Sequence, residues 1–189
     1  MAEPSKTAKT PKPATPERLE KAGLAYLARF ASSSANLRTV LMRKVKRSAM
    51  IHGTDAEAGA KAVEALVQRW VRAGMVDDRL FAEGKTASLH RRGLPARRIA
   101  EKLAEKGIDR DLASQVIDAH AEESGGDLAA AAKLAKRRRL GPYRHGDRDR
   151  QKELATFARA GFERRIAEMV IRAASIQDLE EMLAAERDG

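Results

Sequence analysis

The sequence predicts an all-α fold of three tandem three-helix units in an elongated, curved array, and three observations carry that reading. Ala, Leu, Arg, Lys and Glu, the strong helix formers, dominate a chain of 189 residues with sparse β-branched residues and 4% aromatics. Apolar residues recur at helical spacing in segments punctuated by Gly and Pro. One segment also repeats: KGIDRDLASQVI (Lys106 to Ile117) lies over AGFERRIAEMVI (Ala160 to Ile171). Gly107, Arg110, Ala113, Val116 and Ile117 then match Gly161, Arg164, Ala167, Val170 and Ile171, so both copies bury the same face at the same turn. Units packed neighbour on neighbour present a long face suited to lying along another polymer.

Residues 1–15 read as a disordered basic tail, with Lys6, Lys9 and Lys12 among prolines and no apolar run that would make a secretory signal. Unit 1 is expected over 16–74. Its first helix opens at Pro16 and runs through Leu19, Ala22, Tyr26, Leu27 and Phe30 to Ser32, Ser33 and Ser34, which supply the next N-cap. The second carries Leu37, Val40, Leu41 and Val45 on one face, a basic outer face, and a break near His52 and Gly53. The third opens on the capping-box spacing of Thr54 and Glu57 and carries Val63, Leu66, Val67, Trp70 and Val71 as a core stripe up to Gly74.

Unit 2 is expected over 75–125. Asp77 or Asp78 caps a fourth helix through Leu80, Phe81, Ala82 and Leu89 to Gly93, and a fifth begins at Pro95. That helix places Gly107 at a left-handed C′ position, so that Ile108 falls back onto Leu103. Asp109 caps a sixth helix carrying Leu112, Val116 and Ile117, which stops around Gly125 and Gly126. In unit 3, over 126–174, Asp127 caps a seventh helix ending in Lys136, Arg137, Arg138 and Arg139 and closed by Gly141 and Pro142. After a polar loop from Tyr143 to Asp149, the eighth helix ends at Gly161 with Phe162 over Phe157, and the ninth carries Ile166, Val170 and Ile171. A short terminal helix fills 175–189, starting at Ser175.

The formal net charge of +10 favours polyanionic partners. No cysteine is present, which removes disulfides, thiolate metal sites and cysteine nucleophiles and suits a cytoplasmic setting. No stretch approaches the roughly 18 apolar residues of a membrane span. His52, His90, His120 and His145 show no metal-ligand spacing and read as surface histidines. Gly125 and Gly126 stand in no phosphate-binding loop, and no serine in a nucleophile elbow. No catalytic, cofactor or metal site is expected, and the chain reads as a binding protein rather than an enzyme.

Four basic clusters lie near helix ends: Arg43, Lys44, Lys46 and Arg47; His90, Arg91, Arg92, Arg97 and Arg98; Arg137, Arg138 and Arg139 with Arg144; and Arg159, Arg164 and Arg165. Only Tyr143 interleaves an aromatic with them, which favours contact with a phosphate backbone over base stacking.

The run Gly74, Met75, Val76, Asp77, Asp78, Arg79, Leu80, Phe81, Ala82 resembles the entry to the second unit of the RecX family of recombination regulators. Arg97, Arg98, Ile99, Leu103, Lys106, Gly107 and Ile108 resemble that family's second signature, and Ala25 to Arg29 with Leu37, Leu41 and Lys44 agree with its first unit. The resemblance spans about residues 20–174 and departs from the pattern at Phe30, at Pro95 and in the longer loop from Leu140 to Asp149. It implies a monomer that binds the RecA filament and its DNA, the DNA through backbone contacts, and restrains RecA's ATPase and strand exchange. On that implication the first three basic clusters, apart from His90, are the contact residues. Asp78, Phe81, Ile99, Leu103, Gly107 and Ile108 form a structural signature. The competing reading is a general DNA-binding, architectural helical protein that acts without RecA.

Overall fold

A computed structural model describes residues 12–146 and 149–188. Most of the tail expected over 1–15 and part of the loop expected over 143–149 lie outside the described residues. The fold is all-helical: among the described residues there are ten α-helices, one 3₁₀ turn and no strand. The chain divides into two compact units, the first ending at Asp77 and the second beginning at Asp78.

The first compact unit contains α1 (Pro16–Leu27), α2 (Ser34–His52) and α3 (Ala56–Arg72). Leu19, Leu37, Leu41, Val45, Val63, Val67 and Trp70 close one apolar cluster among them. Gly23 lets α1 approach the Trp70 ring, since a Cβ there would come within 2.5 Å of it.

The second compact unit holds α4 (Asp78–Arg91), α5 (Ala96–Ala104), α6 (Arg110–Ser124), α7 (Gly126–Arg138), the turn Gly141–Tyr143, α8 (Arg150–Ala160), α9 (Arg164–Arg172) and α10 (Ile176–Asp188). Helices α4 to α6 enclose Leu89, Ile99, Leu103, Ile108 and Val116. Helices α7 to α9 enclose Leu128, Leu134, Phe157, Ile166 and Val170, and α10 adds the fully buried Leu179. The helices are therefore grouped in threes, each group with an apolar cluster of its own.

The two endings expected to match do so. Ile108 N–H donates to Leu103 O at 3.1 Å with Gly107 at φ 70°, and Phe162 N–H donates to Phe157 O at 3.1 Å with Gly161 at φ 96°. The Phe157 and Phe162 rings meet edge-on, 5.8 Å between centroids.

Several expectations are corrected. The first helix ends at Leu27, and Phe30 lies beyond it, half exposed, with its ring 5.2 Å from that of Tyr26. Asp55, not Thr54, caps α3, because its carboxylate accepts from Glu57 N and Ala58 N, while the Thr54 hydroxyl donates to Ser48 Oγ. Val71 and Leu80 face solvent. Arg139, not Gly141, closes α7: it takes the left-handed C′ conformation at φ 56°, and Leu140 N–H turns back to Ala135 O. Finally, α6 ends and α7 begins on the single residue Gly125 at φ 74°, which puts Asp127 inside the first turn of α7 instead of at its cap.

Candidate functional site

On α2, Arg43, Lys44, Lys46 and Arg47 are all exposed, and among the described residues none of them is in ion-pair contact with a carboxylate. Other cations of the same three-helix group are paired: Arg38 with Glu64, Lys61 with Glu57 and Arg69 with Glu20. The outer face of α2 thus keeps its positive charge uncompensated.

In the second compact unit, the set read from the sequence as Arg91, Arg92, Arg97 and Arg98 separates into two places. Arg91 ends α4 and Arg92 follows it, where α7 brings up Lys133 and Arg137. Arg137 Nη1 donates to Arg92 O at 2.7 Å, and Lys133 Nζ lies 3.4 Å from His90 Nδ1. Arg97 and Arg98 instead share Glu101 on α5. Arg98 also reaches Arg159 O, at 3.5 Å, and its stem covers Gly161, where a Cβ would come within 2.8 Å of Arg98 Cγ. Both backbone carbonyls so used lie at helix C-termini, where a cation is favoured by the helix dipole.

His90 is buried rather than on the surface. Its Nε2 meets Gly126 O at 2.9 Å, and its ring stands edge-on to His120, 4.9 Å between centroids. Burial holds the His90 pKa below its usual value, assisted by the charges of Lys133 and His120. The His120 pKa is lowered by burial and by Lys133 and Arg91, and that of Lys133 by burial and by Arg91. Burial is the main cause of all three shifts, and the charges of Lys133 and Arg91 add to it where α4 meets α7.

Arg138, Arg139 and Arg144 are exposed. The signature residues are packing elements: Ile99, Leu103 and Ile108 are buried, Phe81 is half-buried against them, Gly107 provides the left-handed turn, and Asp78 opens α4. Sequence reasoning missed Lys133, although it stands four residues before Arg137 and so on the same face of α7. It also missed the His90–His120 contact, which no spacing along the chain announces. Among the described residues, no group of three or more His, Asp or Glu gathers to hold a metal ion, and no helix is long and apolar enough to cross a membrane.

A family model described as "RecX, second three-helix domain" matches residues 77–117. Over 168 residues the chain is 42% identical to the "Regulatory protein RecX" of Myxococcus xanthus (strain DK1622), covering 86% of this chain and 89% of that protein. It is 34% identical over 112 residues to the protein of the same name from Agrobacterium fabrum (strain C58 / ATCC 33970), covering 58% of each. The crystal structure of RecX from Lactobacillus salivarius shares the fold, with a TM-score of 0.59 over 88% of this chain and 97% of that one, at 19% identity.

Proposed function

The chain belongs to the RecX family of regulatory proteins, and from that membership we propose that it binds the RecA–DNA filament and restrains its ATPase and strand-exchange activity. The observation that supports this most directly is the gathering of Arg91, Arg92, Lys133 and Arg137 where α4 meets α7, with Arg138 and Arg139 beside them. A basic face of this kind attracts the phosphates of filament-bound DNA and the acidic side chains of a protein coat at long range. On this reading the protein acts by binding, without a catalytic step, as a monomer in the cytoplasm.

The test is the DNA-dependent ATPase rate of the cognate RecA as this protein is added at substoichiometric amounts. Loss of ATPase well below one copy per RecA is expected. An unchanged rate would sink the reading.

A second reading, a DNA-binding helical protein that needs no RecA, is favoured by the uncompensated cations of α2. Its mark is tight binding to bare duplex with a steep salt dependence, a log-log slope of about −0.9 per phosphate contact.

A further inference from the structure

Within the first compact unit, α1, α2 and the segment leading into α1 border an open hollow of about 390 Å³. Five cations stand around it: Lys12 and Arg18 on one side, Arg43, Lys44 and Arg47 on the other, with no carboxylate in the lining. Its apolar part is provided by Ala14, Leu19 and Ala22. The wall is held in place: Ala14 N–H donates to Ser48 Oγ at 2.9 Å, Ser48 is itself buried, and Arg18 Nη1 donates to Pro13 O at 3.2 Å. Arg43 and Arg47 sit four residues apart on one helix, a like-charge arrangement that weakens a helix unless an anion joins it.

We infer that this hollow binds the terminal phosphate group of a nucleotide, the charged end held by the five cations and the sugar or base resting on the partly exposed Ala14 and Ala22. The volume falls in the range of about 300–1,000 Å³ usual for small-molecule sites. A continuous duplex backbone is convex and passes over a hollow, whereas a chain end or a free nucleotide enters it. The absence of a glycine-rich phosphate loop in the sequence does not argue against this, because here side-chain cations supply the charge-assisted hydrogen bonds. The inference goes beyond filament binding and is tested without RecA.

The experiment is calorimetric titration of the full chain with ADP, ATP, adenosine and two short single-stranded oligonucleotides that differ only in a 5′-phosphate or 5′-hydroxyl end. Binding of ADP and ATP at least about tenfold tighter than adenosine, or of the phosphorylated over the hydroxyl oligonucleotide by a similar factor, is expected. Which of the two ligands binds more tightly identifies a free nucleotide or a nucleic-acid end as the occupant. Arg47→Gln, which removes a lining cation, is expected to weaken binding about tenfold. Lys21→Gln removes one positive charge from α1 outside the lining and is expected to leave binding nearly unchanged. Both positions are exposed, and circular dichroism of each variant checks the fold. Equal binding of phosphorylated and unphosphorylated ligands, or equal weakening by the two variants, overturns the inference.

Discussion

Asp127, carried by α7, accepts the backbone N–H of Ala96 at the start of α5, 2.7 Å away, so a helix of the second three-helix group is capped by a residue of the third. Pro95, at the N-cap position of α5, has no side chain able to do this. Asp127→Ala is therefore expected to destabilise the second compact unit by about 0.5–2 kcal/mol, the usual worth of an N-cap. Denaturant unfolding measures it, and an unchanged midpoint would show that the contact is idle.

Arg139 is the one non-glycine residue at positive φ among the described residues, and its side chain is exposed. Arg139→Gly relieves the left-handed strain while giving back backbone entropy, for a net gain of up to about 1 kcal/mol. The same change removes a cation from the proposed filament face, so the variant is expected to melt at a higher temperature and to inhibit RecA less. Higher stability with full inhibition would remove Arg139 from the contact.

Charge reversal separates contact from scaffold. Arg91, Arg92 and Arg138 are exposed, and their side chains make no ion pair among the described residues, so Arg91→Glu, Arg92→Glu and Arg138→Glu together should abolish ATPase inhibition with helicity intact. Arg98→Ala, by contrast, uncovers Gly161 and releases both Glu101 and Arg159 O, so its expected effect is on stability. Retained inhibition in the triple variant would refute the assignment of this face.

Stability is also expected to depend on pH through His90 and His120. Both have folded pKa values below the usual 6.5, so the unfolded chain takes up protons more readily than the folded one as the medium is acidified. Their contribution is fully present above about pH 6.5 and declines as pH falls below it towards the lowered folded values. Gly126 O and Asp127 oppose this at His90, and Lys133 reinforces it. Unfolding midpoints between pH 7.5 and about 5.5, above the main carboxylate range, are expected to fall with acidification and to fall less in His90→Gln. A flat profile for the native chain would remove the histidine pair as the cause.

Leu103 is fully buried between α5 and its neighbours. Leu103→Ala is expected to cost about 2–5 kcal/mol, with the spread set by how far the site collapses around the missing atoms. The expected phenotype is loss of fold, read by melting, rather than a folded protein that fails to inhibit.

Most of the fold was legible in the sequence because its signals are local. The Schellman endings at Gly107 and Gly161 and the caps at Ser33 and Asp109 each depend on residues within one turn of each other. Where two helices shared a single residue, local reading failed: Gly125 ends α6 and starts α7, which left Asp127 free to cap a different helix. The basic residues were identifiable by type, but not their grouping. Arg92 and Arg98 are six positions apart, yet one meets α7 and the other α8, and only packing decides that.

Four of the polar joints between the second and third helical groups share one property. Asp127 bonds Ala96 N, Arg137 bonds Arg92 O, Arg98 bonds Arg159 O and His90 bonds Gly126 O, so on one side of each of these four the partner is a main-chain atom. A main-chain amide or carbonyl is present whatever side chain evolution places there, apart from proline at Ala96. Drift at positions 92, 96, 126 and 159 therefore demands no compensating substitution across the joint, and an alignment of relatives is expected to show little pairwise covariation at this boundary.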